Sequence, residues 1–93
     1  MAIDTGDLTD KTYKAIMLES EKFHHDLTLQ FGLLSYDCED EQDFILKSEK
    51  LINQMLKYDE VELDDMFFGN PPPTKDFHNV LNRILVNIAK IKN

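Results

Sequence analysis

Glu21-Lys22-Phe23-His24 comes closest to a metal-ligand pair in this sequence. On a helix, residues three apart share a face, so a Glu-x-x-His turn can offer a carboxylate and an imidazole to one ion. Carboxylate-bridged metal sites in helical bundles use two such turns plus two further inward glutamates. Here there is a single Glu-x-x-His, and no other glutamate falls within an apolar stripe. Glu21 and His24 are therefore only weak metal candidates, and the expectation is that no metal or cofactor is bound. His24 and His25 would point about 100° apart on a helix and cannot chelate one ion together. Cys38 and the histidines show no zinc spacing.

Residues 37–43 and 59–65 each hold five acids in seven positions. Neither has the glycine that lets a calcium loop turn sharply around its ion. Glu62 and Asp65 form an i, i+3 carboxylate pair of the kind that holds magnesium in all-helical nucleotide pyrophosphohydrolases. The matching Glu-Glu-x-x-Glu is missing from the preceding segment, where Glu49 stands off the apolar stripe. Acids at a helix start are favoured by the macrodipole alone. Ser20, Ser35 and Ser48 lack the glycine-flanked turn of a nucleophile elbow, and no glycine-rich phosphate loop is present. The sequence thus nominates no catalytic residue, and the expectation is a non-enzymatic protein.

The net charge of −8 opposes binding to nucleic acid or to an anionic membrane, and it permits a basic protein partner. The charge is unevenly spread. Residues 1–70 hold 17 acidic and 6 basic groups, whereas residues 71–93 hold 1 acidic and 4 basic. The C-terminal segment is thereby predicted to dock on the rest. The single cysteine, Cys38, excludes an intrachain disulfide, and its acidic neighbours disfavour a thiolate. The first eight residues do not read as a signal peptide, and no apolar run reaches the roughly 20 residues of a membrane span. A cytoplasmic location is the default expectation.

The elements that would position these residues are helical throughout. Tyr13, Met17, Ser20, His24, Leu27, Phe31 and Leu34 recur at steps of three and four, widened by Ile16 and Phe23. That spacing predicts one long first helix over about 10–35, opened by Thr9 and roughly 40 Å long. Gly32 is its one weak point. Phe44, Ser48, Leu51, Met55 and Tyr58 predict a second helix over about 41–58. Asp59, with Glu62 three residues on, signals a restart as a short helix over about 60–68, stopped by Gly69-Asn70. Three prolines form a stiff connector to a third main helix over about 75–91. Its stripe is Phe77, Val80, Leu81, Ile84, Leu85, Ile88 and Ile91. The predicted fold is one all-α domain over residues 1–93, an antiparallel bundle of three main helices plus the short one.

The long helix would carry a second apolar face of Leu18, Leu29 and Leu33, with Ala15 and Tyr36, opposite the main stripe. It would also overhang its partners. Both features predict a homodimer whose interface includes Leu18, Leu29, Leu33 and Tyr36. Met66-Phe67-Phe68 follows an acidic segment, which adds Phe67 and Phe68 as docking residues. The leading expectation is a self-associating protein–protein interaction module. The alternatives are an acidic inhibitor that masks a basic partner, similar to nuclease immunity proteins only in size and charge, and a metal-dependent all-α enzyme.

Overall fold

Apolar residues at helical spacing, separated by capping and breaking residues, produce a chain that is helical along most of its length. The computed structural model describes residues 2–92; Met1, in the expected lead-in, and Asn93 lie outside them. Among the described residues there are five helices and no strand. The first, α1, covers residues 10–23. It is built from an α-helical turn Asp10–Thr12, a π-helical stretch Tyr13–Leu18 and an α-helical end Glu19–Phe23. Then follow α2 (His25–Ser35), α3 (Glu41–Met55), α4 (Glu60–Met66) and α5 (Thr74–Lys92). A short 3-10 turn, Thr5–Asp7, precedes them.

The main correction to the sequence reading lies in the expected helix over 10–35. The chain breaks at His24, whose backbone is extended at φ −164° and ψ 136°. A continuous helix of that length would span about 39 Å, whereas the longest dimension of the molecule is 33 Å. The chain instead turns back on itself. Ser20 and Thr28 hydroxyls lie 3.2 Å apart across the break, although eight residues of straight helix would separate them by about 12 Å. Folding back places Ile16 and Met17 from α1 and Leu27 and Phe31 from α2 in the same core. The π-helical stretch was likewise not foreseen. The overhang argued from helix length disappears with the long helix.

The other boundaries shift less. The second expected helix ends at Met55 rather than 58, and the short one at Met66 rather than 68. Asp40 caps α3 by accepting from Asp43 N–H at 2.8 Å. Asp59 caps α4, accepting from Val61 and Glu62 N–H groups at 3.0 and 3.1 Å. Both acidic clusters thus have structural work at helix starts. Thr9 sits at the N-cap of α1 but makes no side-chain cap; its main-chain N–H and its hydroxyl bind the Glu41 carboxylate instead.

The longest helix, α5, packs on α1 and α3, and α2 packs on α1 and α3 as well. Its stripe is buried as the periodicity requires: Phe77, Val80, Leu81, Ile84 and Ile88 all reach the core. Lys92 ties its end to Glu49 on α3 at 3.0 Å, and Arg83 lies 3.7 Å from Glu19 on α1. These two contacts realise the attraction between a basic C-terminal segment and an acidic body. Among the described residues, no helix is long and apolar enough to cross a membrane.

Candidate functional site

The break at His24 organises one end of the molecule. Ser20, buried in the last turns of α1, donates its hydroxyl to the Met17 carbonyl at 2.8 Å. His24 N–H closes α1 on the Ser20 carbonyl at 2.9 Å. The His24 imidazole then opens α2: its Nδ1 accepts from Asp26 N–H at 3.0 Å. The Asp26 carboxylate stands 3.6 Å from the same nitrogen. Phe67, at the end of α4, meets the His24 ring edge-on at 4.8 Å and Phe77 of α5 at 5.6 Å. His24 thereby links α1 through its main chain and α2 and α4 through its ring, and Phe67 carries the contact on to α5.

This geometry removes the basis for a Glu21–His24 metal pair. Glu21 is exposed on α1, whereas His24 has left the helix and uses Nδ1 as a cap. Among the described residues, no group of three or more His, Cys, Asp or Glu side chains is placed to hold a metal ion. Cys38 is buried, and its Sγ donates to the Leu34 carbonyl at 3.3 Å. Burial pushes its pKa up, and the nearby Asp43 carboxylate pushes it further, so the thiol form dominates.

The expected interface residues are distributed differently from the sequence reading. Leu18 is half-buried on α1 and is separated from the others by the break. Phe67, expected on the docking surface, is instead a core residue. Leu29, Leu33 and Tyr36 remain exposed, at 41%, 56% and 61%. At 100° per residue they lie opposite the buried Leu27 and Phe31, on one ridge running along α2. The segment 27–36 contains no charged side chain, in a chain that is 30% charged. Gly32 flanks the ridge, and a Cβ there would meet nothing within 4 Å.

Phe68 is the most exposed aromatic, at 77%, and its φ is +55°. Gly69 N–H donates to the Asp64 carbonyl at 2.8 Å and Phe68 N–H to the Asp65 carbonyl at 3.4 Å. This pair of bonds is a Schellman ending, whose left-handed position ordinarily holds glycine. Here Phe68 occupies it, and Gly69 follows with φ +82°. A bulky residue in that conformation carries strain of roughly 1 kcal/mol. Sequence reasoning assigned the stop to Gly69 and so missed the strain by one position.

The Ser20 hydroxyl is buried and committed to the main chain, and His24 is committed to a helix cap. The exposed apolar groups on these elements include the α2 ridge and the Phe68 ring. No family model, curated protein or solved structure matches the chain.

Proposed function

We propose that this chain is a protein–protein interaction module that self-associates through α2 as a two-fold dimer. The observation that carries this reading is the ridge of Leu29, Leu33 and Tyr36, exposed on a helix segment free of charge. Two copies that each carry −8 repel, and a two-fold contact sets like surface against like, so such a contact is favoured on a face without charges, and this one qualifies. Scaling the three exposures gives roughly 300 Å² of mostly apolar surface per copy, comparable to the largest apolar patch on a typical monomer, which is often functional. A face this small lies well below the buried area of a standard stable interface, so the expected dimer is weak and forms at high concentration. Gly32 beside the ridge is disfavoured in a helix and fills no need within the subunit, but it admits a close-approaching partner backbone. Sedimentation velocity tests the reading. At high ionic strength, the wild-type chain is expected to move from 10.9 kDa towards twice that mass as concentration rises, and Leu29→Glu/Leu33→Glu to stay at 10.9 kDa. A wild-type chain that remains at the single mass at high concentration overturns it.

A second reading is favoured by the opposite chemistry at α4. Glu60, Val61, Asp64 and Asp65, together with prolines 71–73, line a cleft of about 560 Å³. Its carboxylates and rigid apolar wall suit a basic segment of a partner protein. Binding of a lysine-rich peptide that weakens steeply with salt supports this; salt-independent binding or none opposes it.

A further inference from the structure

The acidic end has a counterpart on the same chain. Where the π-helical stretch of α1 crosses the end of α5, Lys11, Lys14, Ala15, Asn87, Lys90 and Ile91 line a groove of about 470 Å³. Ala15 and Ile91 form an apolar floor, and the Asn87 amide donates to the Ala15 carbonyl at 3.2 Å, which holds the two helices in register. Three lysines rim this floor. Among the described residues, Lys11 and Lys90 make no ion pair, and Lys14 pairs only with the exposed Asp10, at 3.0 Å. Lys11 lies in the first turn of a helix, where a cation is disfavoured by the dipole. On a chain with 18 acidic residues, such a group of lysines is a locally inverted field.

At the other end, Glu60, Val61 and Glu62 are all exposed, Val61 at 69%. Among the described residues, neither glutamate is in an ion pair. An aliphatic side chain between two carboxylates is the complement of an apolar floor between lysines. The two features stand at opposite ends of α5: the acidic cleft includes Thr74 and the basic groove includes Lys90. Sixteen helical residues separate these by about 24 Å, so they cannot meet within one copy.

We propose that the lysine groove receives the Glu60-Val61-Glu62 edge of a second copy, giving a heterologous, head-to-tail contact. This deepens the basic-partner reading of α4 by naming the partner, and it is independent of the α2 ridge. Val61 seats on Ala15 and Ile91, and the glutamates meet the lysine rim. Because the two surfaces differ, the contact does not close on itself by two-fold symmetry and extends with concentration. The contact is governed by charge: it forms at low ionic strength and weakens by tenfold or more as the Debye length falls from about 30 Å to below about 8 Å.

Charge reversal provides the test, in a Leu29→Glu/Leu33→Glu background that silences the ridge. One variant carries Lys11→Glu/Lys14→Glu/Lys90→Glu, and the other carries Glu60→Lys/Glu62→Lys/Asp64→Lys. In low salt, the parent background is expected to grow in mass by sedimentation velocity, and each variant alone is not. Mixing the two restores growth, because each offers the other a complementary end. Circular dichroism checks that both are folded; Val61→Arg in the parent, which blocks the apolar seat at an exposed position of α4, provides an independent loss. A mixture no more associated than its components overturns the proposal, as does growth in mass unaffected by salt. If the mixture fails while a lysine-rich peptide still binds the wild-type chain, the self-docking falls and the basic-partner reading stands. If both fail, both fall.

Discussion

At the scale of single residues, three side chains depart from what their positions ordinarily call for. Phe68 holds a left-handed backbone that suits glycine. Phe68→Gly is expected to raise stability by about 1 kcal/mol, seen as a higher midpoint in urea. If the aromatic serves docking, the same variant loses binding while gaining stability. Ser48 is fully buried on α3, and its hydroxyl has no hydrogen-bond partner in the structure. Ser48→Ala should therefore stabilise, by about 1 kcal/mol, since it removes a buried polar atom without opening a cavity. A destabilised alanine variant would mean that the hydroxyl makes a bond the structure does not show. His24 is the third: its imidazole stands in for the usual side-chain oxygen of an N-cap. His24→Asn keeps an acceptor there and is expected to retain the fold with little loss, whereas His24→Ala gives up the cap and the Phe67 contact. The alanine variant should lose about 1–2 kcal/mol in thermal or urea unfolding.

At the scale of elements, α2 and the start of α3 carry the sharpest expectations. Gly32→Ala distinguishes a free ridge from a helix crossing. The added methyl meets nothing within the subunit, so intrinsic stability should rise by roughly 1 kcal/mol. If copies cross at α2, dimer dissociation in sedimentation should shift to higher concentration at the same time. The start of α3 rests on Asp43. The Glu39 N–H and the Lys47 ammonium hold its pKa below the ordinary 3.8. A lowered folded pKa means stabilisation that is complete above the unfolded value and is lost as pH falls through the folded one. Asp43→Asn should accordingly unfold at a lower temperature than wild type near neutrality, and the gap should narrow below about pH 4. A gap that persists undiminished at low pH would show that the carboxylate's charge is not its source. The carboxylate still reaches solvent, so the effect is a modest one.

At the scale of the whole molecule, charge and apolar surface are sorted to different places. The acidic end around α4, the lysine groove at the end of α5 and the uncharged ridge of α2 are three surfaces with three chemistries. They separate by salt: ridge association is apolar and should persist at high ionic strength, while contacts of α4 should not. Measuring mass against concentration at low and at high salt therefore resolves which surface acts. Growth at low salt that settles to a dimer at high salt is the expected pattern.

The helical class, the positions of most helix ends and most of the core could be read from residue order alone. Spacing at the helical period and side-chain caps are local properties, and Asp40, Asp59 and the α5 stripe do in three dimensions what their types require. The break at His24 could not be read in this way. Ser20 and Leu27 are seven residues apart, so the apolar phase runs straight through the corner, and periodicity does not distinguish a bent helix from a continuous one. The bend is decided by packing: it brings two stretches of the chain onto one core and gives the freed main-chain groups a histidine cap. Of the residues expected to be outward, Leu29, Leu33, Tyr36 and Phe68 are exposed, while Leu18 is half-buried and Phe67 is in the core, because burial depends on what the rest of the chain places opposite. The lysine groove is likewise tertiary. Its residues come from positions 11–15 and 87–91, and only the crossing of α1 with α5 makes them neighbours.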